Sequence, residues 1–336
     1  MKFVTRYWYN TKLSPPAYLD VLSRVYGFIS SKRRSSFLNN KRQSFRAPVP
    51  VIVIGNISVG GTGKTPLVIA LAKFLQQNNY RVGIVSRGYG GSGSDFPIEV
   101  NIDSDPSLVG DEPLLIAQQS LCPIFVGPKR QSDITALLNK YPEVNLILSD
   151  DGMQHYAMER DIEIAVIDGK RLFGNKKLLP AGPLREPVSR LDEVDIQVVN
   201  GLEADSEKDI VSENTFFMHL APASLYRLND KTQKKGLLDF AEQTVHGVAG
   251  IGNPQRFFDA LTAQGLKVIP HDFDDHFHYK ENDLIFGDQL PIIMTEKDAV
   301  KCKSFNLDNC WVVSLDTQLS EHFYEKVLCL LEKNRR

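Results

Sequence analysis

The sequence predicts an α/β fold with a mostly parallel sheet and two lobes, and three observations predict it. Val51-Ile52-Val53-Ile54 is a β-branched run suited to a buried strand, followed by a loop holding Gly55, Gly60, Gly61 and Gly63. Lys64-Thr65-Pro66 then opens a helical pattern with apolar Leu67, Ile69, Ala70, Leu71, Phe74 and Leu75. Secondly, strand candidates alternate with helical stretches as far as Leu148, and two further strand candidates follow up to Asn200. Thirdly, a polar, acidic stretch, Gly201 to Asn214, separates that series from a second αβ set.

Strand, glycine loop, Lys-Thr and helix make up a phosphate-binding P-loop, spanning Ser58, Val59, Gly60, Gly61, Thr62, Gly63, Lys64 and Thr65. Glycines let backbone N–H groups turn toward one anion, and the helix N-terminus adds its positive dipole end. Lys64 would reach the outer phosphates and the Thr65 hydroxyl would hold Mg²⁺. Pro66 costs little, because a first-turn residue has no intrahelical partner to lose. Ser58 stands where the usual motif has its first glycine; the plainer alternative is an ordinary glycine-rich βα turn.

With 336 residues, the chain is one large or two ordinary domains, and 42% apolar with 24% charged residues is the composition of a soluble globular protein. No run of about 18 apolar residues predicts a spanning helix. The start, MKFVTRYWYN, lacks a secretory h-region and cleavage site. Cys122, Cys302, Cys310 and Cys329 form no CxxC pair, so reduced thiols are expected.

Residues 1–46 hold ten basic residues against one acid, Asp20, a local charge of +9 that leaves −11 for the remainder of a chain of net charge −2. Pro15-Pro16 starts a helix expected to run to about Ser30, with Tyr18, Val21, Leu22, Val25, Tyr26 and Ile29 on its apolar face. A basic, aromatic, amphipathic arm fits an anionic membrane surface. Packing of this helix on the protein body is the alternative, and the two are compatible. Nucleic acid is disfavoured, since no nucleic-acid-binding motif accompanies the basic stretch.

Arg81 to Ser86 reads as a second strand, running into Arg87-Gly88-Tyr89-Gly90-Gly91. Loops at strand C-terminal ends face the ligand in such sheets, which favours a functional loop over a connecting turn. Asp111 and Glu112 precede a helix at Leu114 to Gln119. From the chain alone they complement the helix dipole; the other reading is an acid near the phosphates that accepts a hydroxyl proton. Cys122 to Val126 is a third strand, followed by Lys129 and Arg130 at a helix start. Val144 to Leu148 is a fourth, ending in Ser149-Asp150-Asp151-Gly152, which after a P-loop has the form of a Mg²⁺-holding Walker B element. Gln154 and His155 border it. Ile162 to Ile167 and Ile196 to Asn200 are further strands, and the proline-punctuated loop between them carries Arg185, a residue suited to phosphate.

The second set has strands at 244–249, 267–270, 291–295 and 311–315, with helices at 254–264 and 319–331. The expected organisation is an arm over 1–46, a P-loop lobe over 47–205, a linker over 206–236 and a smaller lobe over 237–336. Gly250-Ile251-Gly252 hints at a dinucleotide fingerprint but lacks the third glycine. Asp274-Asp275-His276-Phe277-His278 admits three readings: a metal cluster, a solvated loop, or a His–Asp pair that assists catalysis.

Taken in order, GNISVGGTGKTP (55–66), SRGYGG (86–91), VGDEP (109–113), SDDGMQH (149–155), PAGPLRE (180–186), GIGNPQRFF (250–258), Asp275-His276 and TEKDAVK (295–301) resemble the tetraacyldisaccharide 4′-kinases over most of the chain. Ser58 belongs to that family pattern. The resemblance implies a P-loop lobe and a smaller α/β lobe joined by a two-stranded hinge. It implies ATP- and Mg²⁺-dependent phosphorylation of the 4′-hydroxyl of an acylated glucosamine disaccharide 1-phosphate, on the cytoplasmic face of the inner membrane. Carried over by position, Asp111 is the catalytic carboxylate and His276 its partner, with Lys64 and Arg185 on the phosphates. Thr65, Asp150 and Asp151 serve the metal, and Arg87, Tyr89, Glu112, Arg130, Gln154 and His155 line the substrate site. A P-loop GTPase or ATPase switch acting through partners is the rival, although Thr295-Glu296-Lys297-Asp298 is no guanine-reading NKxD. A metal-dependent hydrolase using Asp274 to His278 is another.

Overall fold

In the computed structural model a single sheet runs through the whole molecule, and a long helix, α1 (Ala17–Leu38), packs on the segment 177–181. Residues 5–10, 12–88, 91–201 and 212–334 are described. Residues 202–211 of the acidic stretch, with the expected boundary at 205/206, and Lys2, Phe3 and Tyr89 lie outside them.

β1 (Val51–Gly55) is buried at every position, because parallel neighbours flank it and helices cover both faces. β5 (Leu146–Asp150) pairs with it on one side and β6 (Ile162–Asp168) on the other. Outward from β5 lie β2 (Val82–Ser86), β4 (Ile124–Val126) and a short antiparallel β3 (Ile98–Glu99). Outward from β6 lie β7 (Ile196–Asn200) and β8 (Thr215–Arg227). One face buries Ile52 and Ile54 against Leu67, Leu71 and Leu75 of the P-loop helix, α2 (Lys64–Gln77). The other buries Val51 and Val53 with Ile134 and Leu137 of the helix Arg130–Lys140.

The runs 215–220 and 224–228 are one strand. β8 begins beside β7 and then pairs antiparallel with β13 (Cys310–Leu319), with a register shift at Ser314/Leu315. β13 in turn pairs parallel with β12 (Ile292–Thr295), and β10 (Thr244–Ala249) and β11 (Lys267–Asp272) complete the C-terminal half. Two long strands therefore connect the halves, and the hairpin strand β9 (Asp230–Lys235), too polar to read as a strand, lies beside β8. The last helix, Glu321–Lys333, returns to the P-loop half, where Phe323, Val327 and Leu331 share the core of α2 and Tyr324 stacks on Phe74 at 4.3 Å. It belongs in sequence to the expected smaller lobe over 237–336.

α1 spans Ala17–Leu38, beyond the expected end near Ser30, since no breaker intervenes before Asn39-Asn40. Its inner side carries Leu19 and Ser23, whose Oγ donates to Leu178 O at 2.8 Å, while Asp20 pairs with Lys177 at 2.7 Å. Gly27 faces Leu178, where an added Cβ would lie 2.7 Å from Cδ1. Tyr18, Val21, Leu22, Val25, Phe28 and Ile29 are at least half exposed. Packed helix and outward apolar face thus coexist, with Phe28 replacing the half-buried Tyr26 on that face. Among the described residues no helix is long and apolar enough to cross a membrane.

Candidate active site

The loop from β1 to α2 takes φ +109° at Gly60 and +95° at Gly63, values that exclude most side chains. At Gly63 a Cβ would also meet Asn200 Nδ2 at 2.3 Å. Ser58 is not among the positive-φ residues: it bridges backbone to Leu184, beside Val59 N donating to Pro183 O at 2.8 Å. Glycine is dispensable there because the loop is extended and paired. Lys64 opens α2 with Nζ 3.4 Å from Asp151 Oδ1.

β5 delivers Asp150 as its last residue, 1% exposed. Its Oδ2 accepts from Ser86 Oγ at 2.9 Å, while Oδ1 has no hydrogen-bond partner among the described residues. Burial, with the charges of Glu112 and Asp151, pushes its carboxyl up to about 6 against the opposing pull of Lys64. Asp151 follows at φ +48°. Burial would raise its pKa too, but Lys64 and Arg185 outweigh burial and hold it well below the usual carboxylate range. Arg185 Nη1 lies 3.0 and 3.1 Å from the two Asp151 oxygens. An orphaned carboxylate oxygen beside Asp151 and Thr65, on the wall of one cavity, is an oxygen donor set that fits Mg²⁺.

That cavity measures about 1360 Å³ and lies between the two halves of the sheet. Lys64, Thr65, Arg87, Glu112, Asp150, Asp151 and Arg185 line it from the P-loop half, and Gly252, Asp275, His276 and Lys297 from the C-terminal half. Arg6, Trp8 and Tyr9 of the arm also reach it.

Asp111 opens its helix, Asp111–Ser120, after Gly110 at φ +93°. Its two oxygens lie 2.9 and 3.0 Å from Nδ1 of His276, across 165 residues of sequence. His276 sits at φ +61°, in the left-handed region that histidine enters more readily than most side chains, still at some cost in backbone strain. Asp111 is 4% exposed and stands behind the cavity wall that His276 helps to form. Burial opposes its charge, yet the hydrogen bond from His276 and the charges of Lys297 and Lys301 keep it below the ordinary carboxylate value. Burial likewise opposes charge on His276, and the bond to Asp111 raises it above the ordinary imidazole value.

Other expected residues occupy supporting places. Arg130 is 2% exposed and does not line the cavity. It donates to Gly127 O at 2.9 Å and to Asp150 O at 3.1 Å, bracing the Walker strand from behind. Gln154 Nε2 donates to Asn56 O at 3.0 Å and Glu186 Oε2 at 2.9 Å, and its Oε1 accepts from Arg185 at 3.3 Å. His155 is half-buried, and burial together with Arg130, Arg160, Arg33 and Arg87 lowers its pKa to about 4.

Two lysines of 295–301, to which the sequence motif assigns no role, stand beside the site. Lys297 Nζ lies 2.8 Å from Glu112 Oε1 and 3.1 Å from Asp275 Oδ1, joining the halves beside the Asp111–His276 pair. Lys301 Nζ lies 2.9 Å from the buried Asp298 and 3.9 Å from Asp111. Their spacing of four was the available signal. Among the described residues no three His, Cys, Asp or Glu side chains are grouped to hold a metal ion; within 274–278, His276 is paired with Asp111.

A sequence profile described as tetraacyldisaccharide-1-P 4′-kinase matches residues 16–332. A tetraacyldisaccharide 4′-kinase of Nitrosococcus oceani is 47% identical over 330 residues, covering 98% of this chain and 94% of that one. One of Hahella chejuensis is 44% identical, with 94% and 92% covered. Among solved structures, LpxK from Aquifex aeolicus in complex with ATP superposes with a TM-score of 0.77 at 27% identity, covering 93% of this chain and 96% of that one. With a P-loop, the acids that end β5 and the imidazole of the Asp111–His276 pair on one cavity, the chain belongs to the tetraacyldisaccharide-1-P 4′-kinase family.

Proposed function

We propose that the enzyme transfers the γ-phosphoryl group of ATP to the 4′-hydroxyl of a tetraacylated glucosamine disaccharide 1-phosphate, a step of lipid A biosynthesis. The observation that carries the mechanism is the Asp111–His276 pair, 2.9 Å apart across the two halves and opposite the P-loop. In this reading the 4′-oxygen forms a bond to the γ-phosphorus as the bond to the bridging oxygen of ADP breaks, and the hydroxyl proton passes to the pair. His276 holds Nδ1 on Asp111 and turns Nε2 to the cavity side, 3.8 Å from Asp275 Oδ2. Asp111 fixes the ring and stabilises the imidazolium, as in carboxylate–histidine pairs generally. The P-loop amides and Lys64 hold the transferred phosphates, and Arg185, kept in place by Asp151 and Gln154, faces the developing charge. Thr65, Asp150 and Asp151 would hold Mg²⁺, which supplies charge neutralisation. Splitting the pair between two halves means the full site forms only when they meet, which limits hydrolysis of ATP without acceptor.

The arm belongs to the same reading. A multi-acyl acceptor stays in its bilayer, so the enzyme works as a peripheral protein on the cytoplasmic face of the inner membrane, held by the basic α1 and its exposed apolar face. The deciding assay is labelled ATP with the disaccharide 1-phosphate in detergent. Label in a lipid product is expected; nucleotide turnover with no labelled lipid would favour a P-loop switch.

A further inference from the structure

We propose that Arg171 is a positioning residue for this reaction, clasping the P-loop to the Gly250–Asn253 loop so that nucleotide binding and placement of His276 are coupled. The proposal rests on the reading that ATP phosphates occupy the loop at 58–65. A loop that turns its amides inward on an anion turns carbonyls outward, where side-chain donors can hold them. Gly61 O accepts from Arg171 Nη2 at 2.6 Å, and Thr62 O from Asn200 Nδ2 at 2.9 Å. Both donors sit on the P-loop half and also bond to the other half of the sheet. Arg171 Nη1 donates to Gly252 O at 3.3 Å, and Asn200 Oδ1 accepts from Arg256 Nη2 at 2.9 Å.

Arg171 is itself fixed. Its Nε donates to Asp168 Oδ2 at 2.8 Å, and Asp168 Oδ1 accepts from the backbone N–H groups of Lys170 and Arg171 at 3.0 Å each. The two loops also touch directly, since a Cβ on Gly252 would lie 2.8 Å from Gly61 N. From there the contacts lead to the catalytic pair. Gly250 N donates to Asp298 Oδ2 at 3.0 Å, Asp298 pairs with Lys301 at 2.9 Å, and Lys301 faces Asp111 at 3.9 Å. The GIGNP segment is thus a contact between the P-loop and the proton-accepting half of the site, and a planar two-sided donor suits the junction better than a lysine would.

Hydrogen exchange on the full-length enzyme, with and without Mg·ATP, reads the coupling. In the wild type, ATP is expected to slow exchange in both 58–65 and 250–257. Arg171→Ala and Arg171→Lys should keep the first protection and lose the second, and kcat should fall about tenfold or more, the loss expected for hydrogen bonds to a charged group, with a smaller change in ATP affinity. A strut that merely stiffened the P-loop would lower ATP affinity and leave the 250–257 protection intact, and that result overturns the proposal. Wild-type kinetics in both variants overturn it too. If ATP fails to protect 58–65 in the wild type, the P-loop reading fails first and the clasp falls with it.

Discussion

Asp111 and His276 face each other at 2.9 Å with opposite shifts, the carboxyl lowered and the imidazole raised. A proton-accepting imidazole must be neutral, so kcat should rise with pH through an inflection above the ordinary value of about 6.5. Asp111→Asn should lower the maximal rate and move that inflection to lower pH. A profile flat from pH 5.5 to 8.5 in the wild type would assign the proton to Asp111 alone, whose lowered pKa lies below that window. For stability the sign is reversed: a raised imidazole stabilises the fold at pH below its unfolded value, and this is lost as pH rises through the folded value. Acting as one unit, the double variant Asp111→Ala/His276→Ala should be little slower than the slower single variant, and multiplicative losses in steady-state kcat would break the pairing. Lys64→Ala should cost about 10²–10³ in kcat, by loss of a charge on the transferred group, with an unchanged far-ultraviolet spectrum. That Lys64, Thr65 and Asp150 share one cavity was legible in the sequence, because a strand–loop–helix motif and an acid-ended strand set those residue types at fixed distances from a strand end. Asp111 was ambiguous, since an acid at a helix start serves the dipole equally well and its partner is distant in sequence. Arg171 and Asn200 left no pattern, because their partners are backbone carbonyls of the P-loop.

At the scale of elements, most strands with β-branched cores were read within a residue or two, as 196–200 and 244–249 were, while β13 runs to Leu319, four residues past its expected end. Burial on both faces leaves little choice of residue there. The polar strand at 230–235 and the joining of 215–220 with 224–228 escaped, since long-range pairing with β13 decides them and no local propensity does. The P-loop shows which glycines are structural. Gly63 combines φ +95° with an Asn200 amide 2.3 Å from any added Cβ, whereas position 58 needs no glycine. Gly63→Ala should therefore destabilise the fold by about 1–2 kcal/mol through the left-handed backbone alone, and abolish ATP binding by displacing the loop. Ser58→Gly should leave ATP affinity within about twofold, because it adds only backbone freedom of the order of 0.5–1 kcal/mol to an extended segment. Thermal unfolding and nucleotide titration of the two variants check both statements; equal behaviour would remove the distinction.

Across the whole molecule one sheet carries both halves, and α1 lies on its P-loop half with one side packed and the other bare. Tyr18, Val21, Leu22, Val25, Phe28 and Ile29 form that bare side, and Lys32 and Arg33 follow within the same helix. An outward apolar face beside cations suits a bilayer with anionic lipid, where each Lys or Arg contributes about 1 kcal/mol within a Debye length. Apolar burial adds an attraction that salt does not screen. Arg34 behaves otherwise, since it is paired with Glu193 and lies 5.7 Å from the Tyr156 ring, so replacing it would disturb the packing of the helix as well as the charge. The clean variants are Lys32→Glu/Arg33→Glu for the electrostatic part and Phe28→Ser/Ile29→Ser for the apolar part. Sedimentation with vesicles containing anionic lipid should fall for both. Only the first variant should lose its salt dependence, and the second should stay weakened at every ionic strength. Turnover of a short-chain, soluble acceptor should be nearly unchanged in both, because neither pair of residues lines the cavity. Turnover of the vesicle-held acceptor should drop with binding. Equal sedimentation of all three proteins across salt would remove α1 from the membrane and leave it a packing helix, held by Leu19, Ser23 and the Asp20–Lys177 pair.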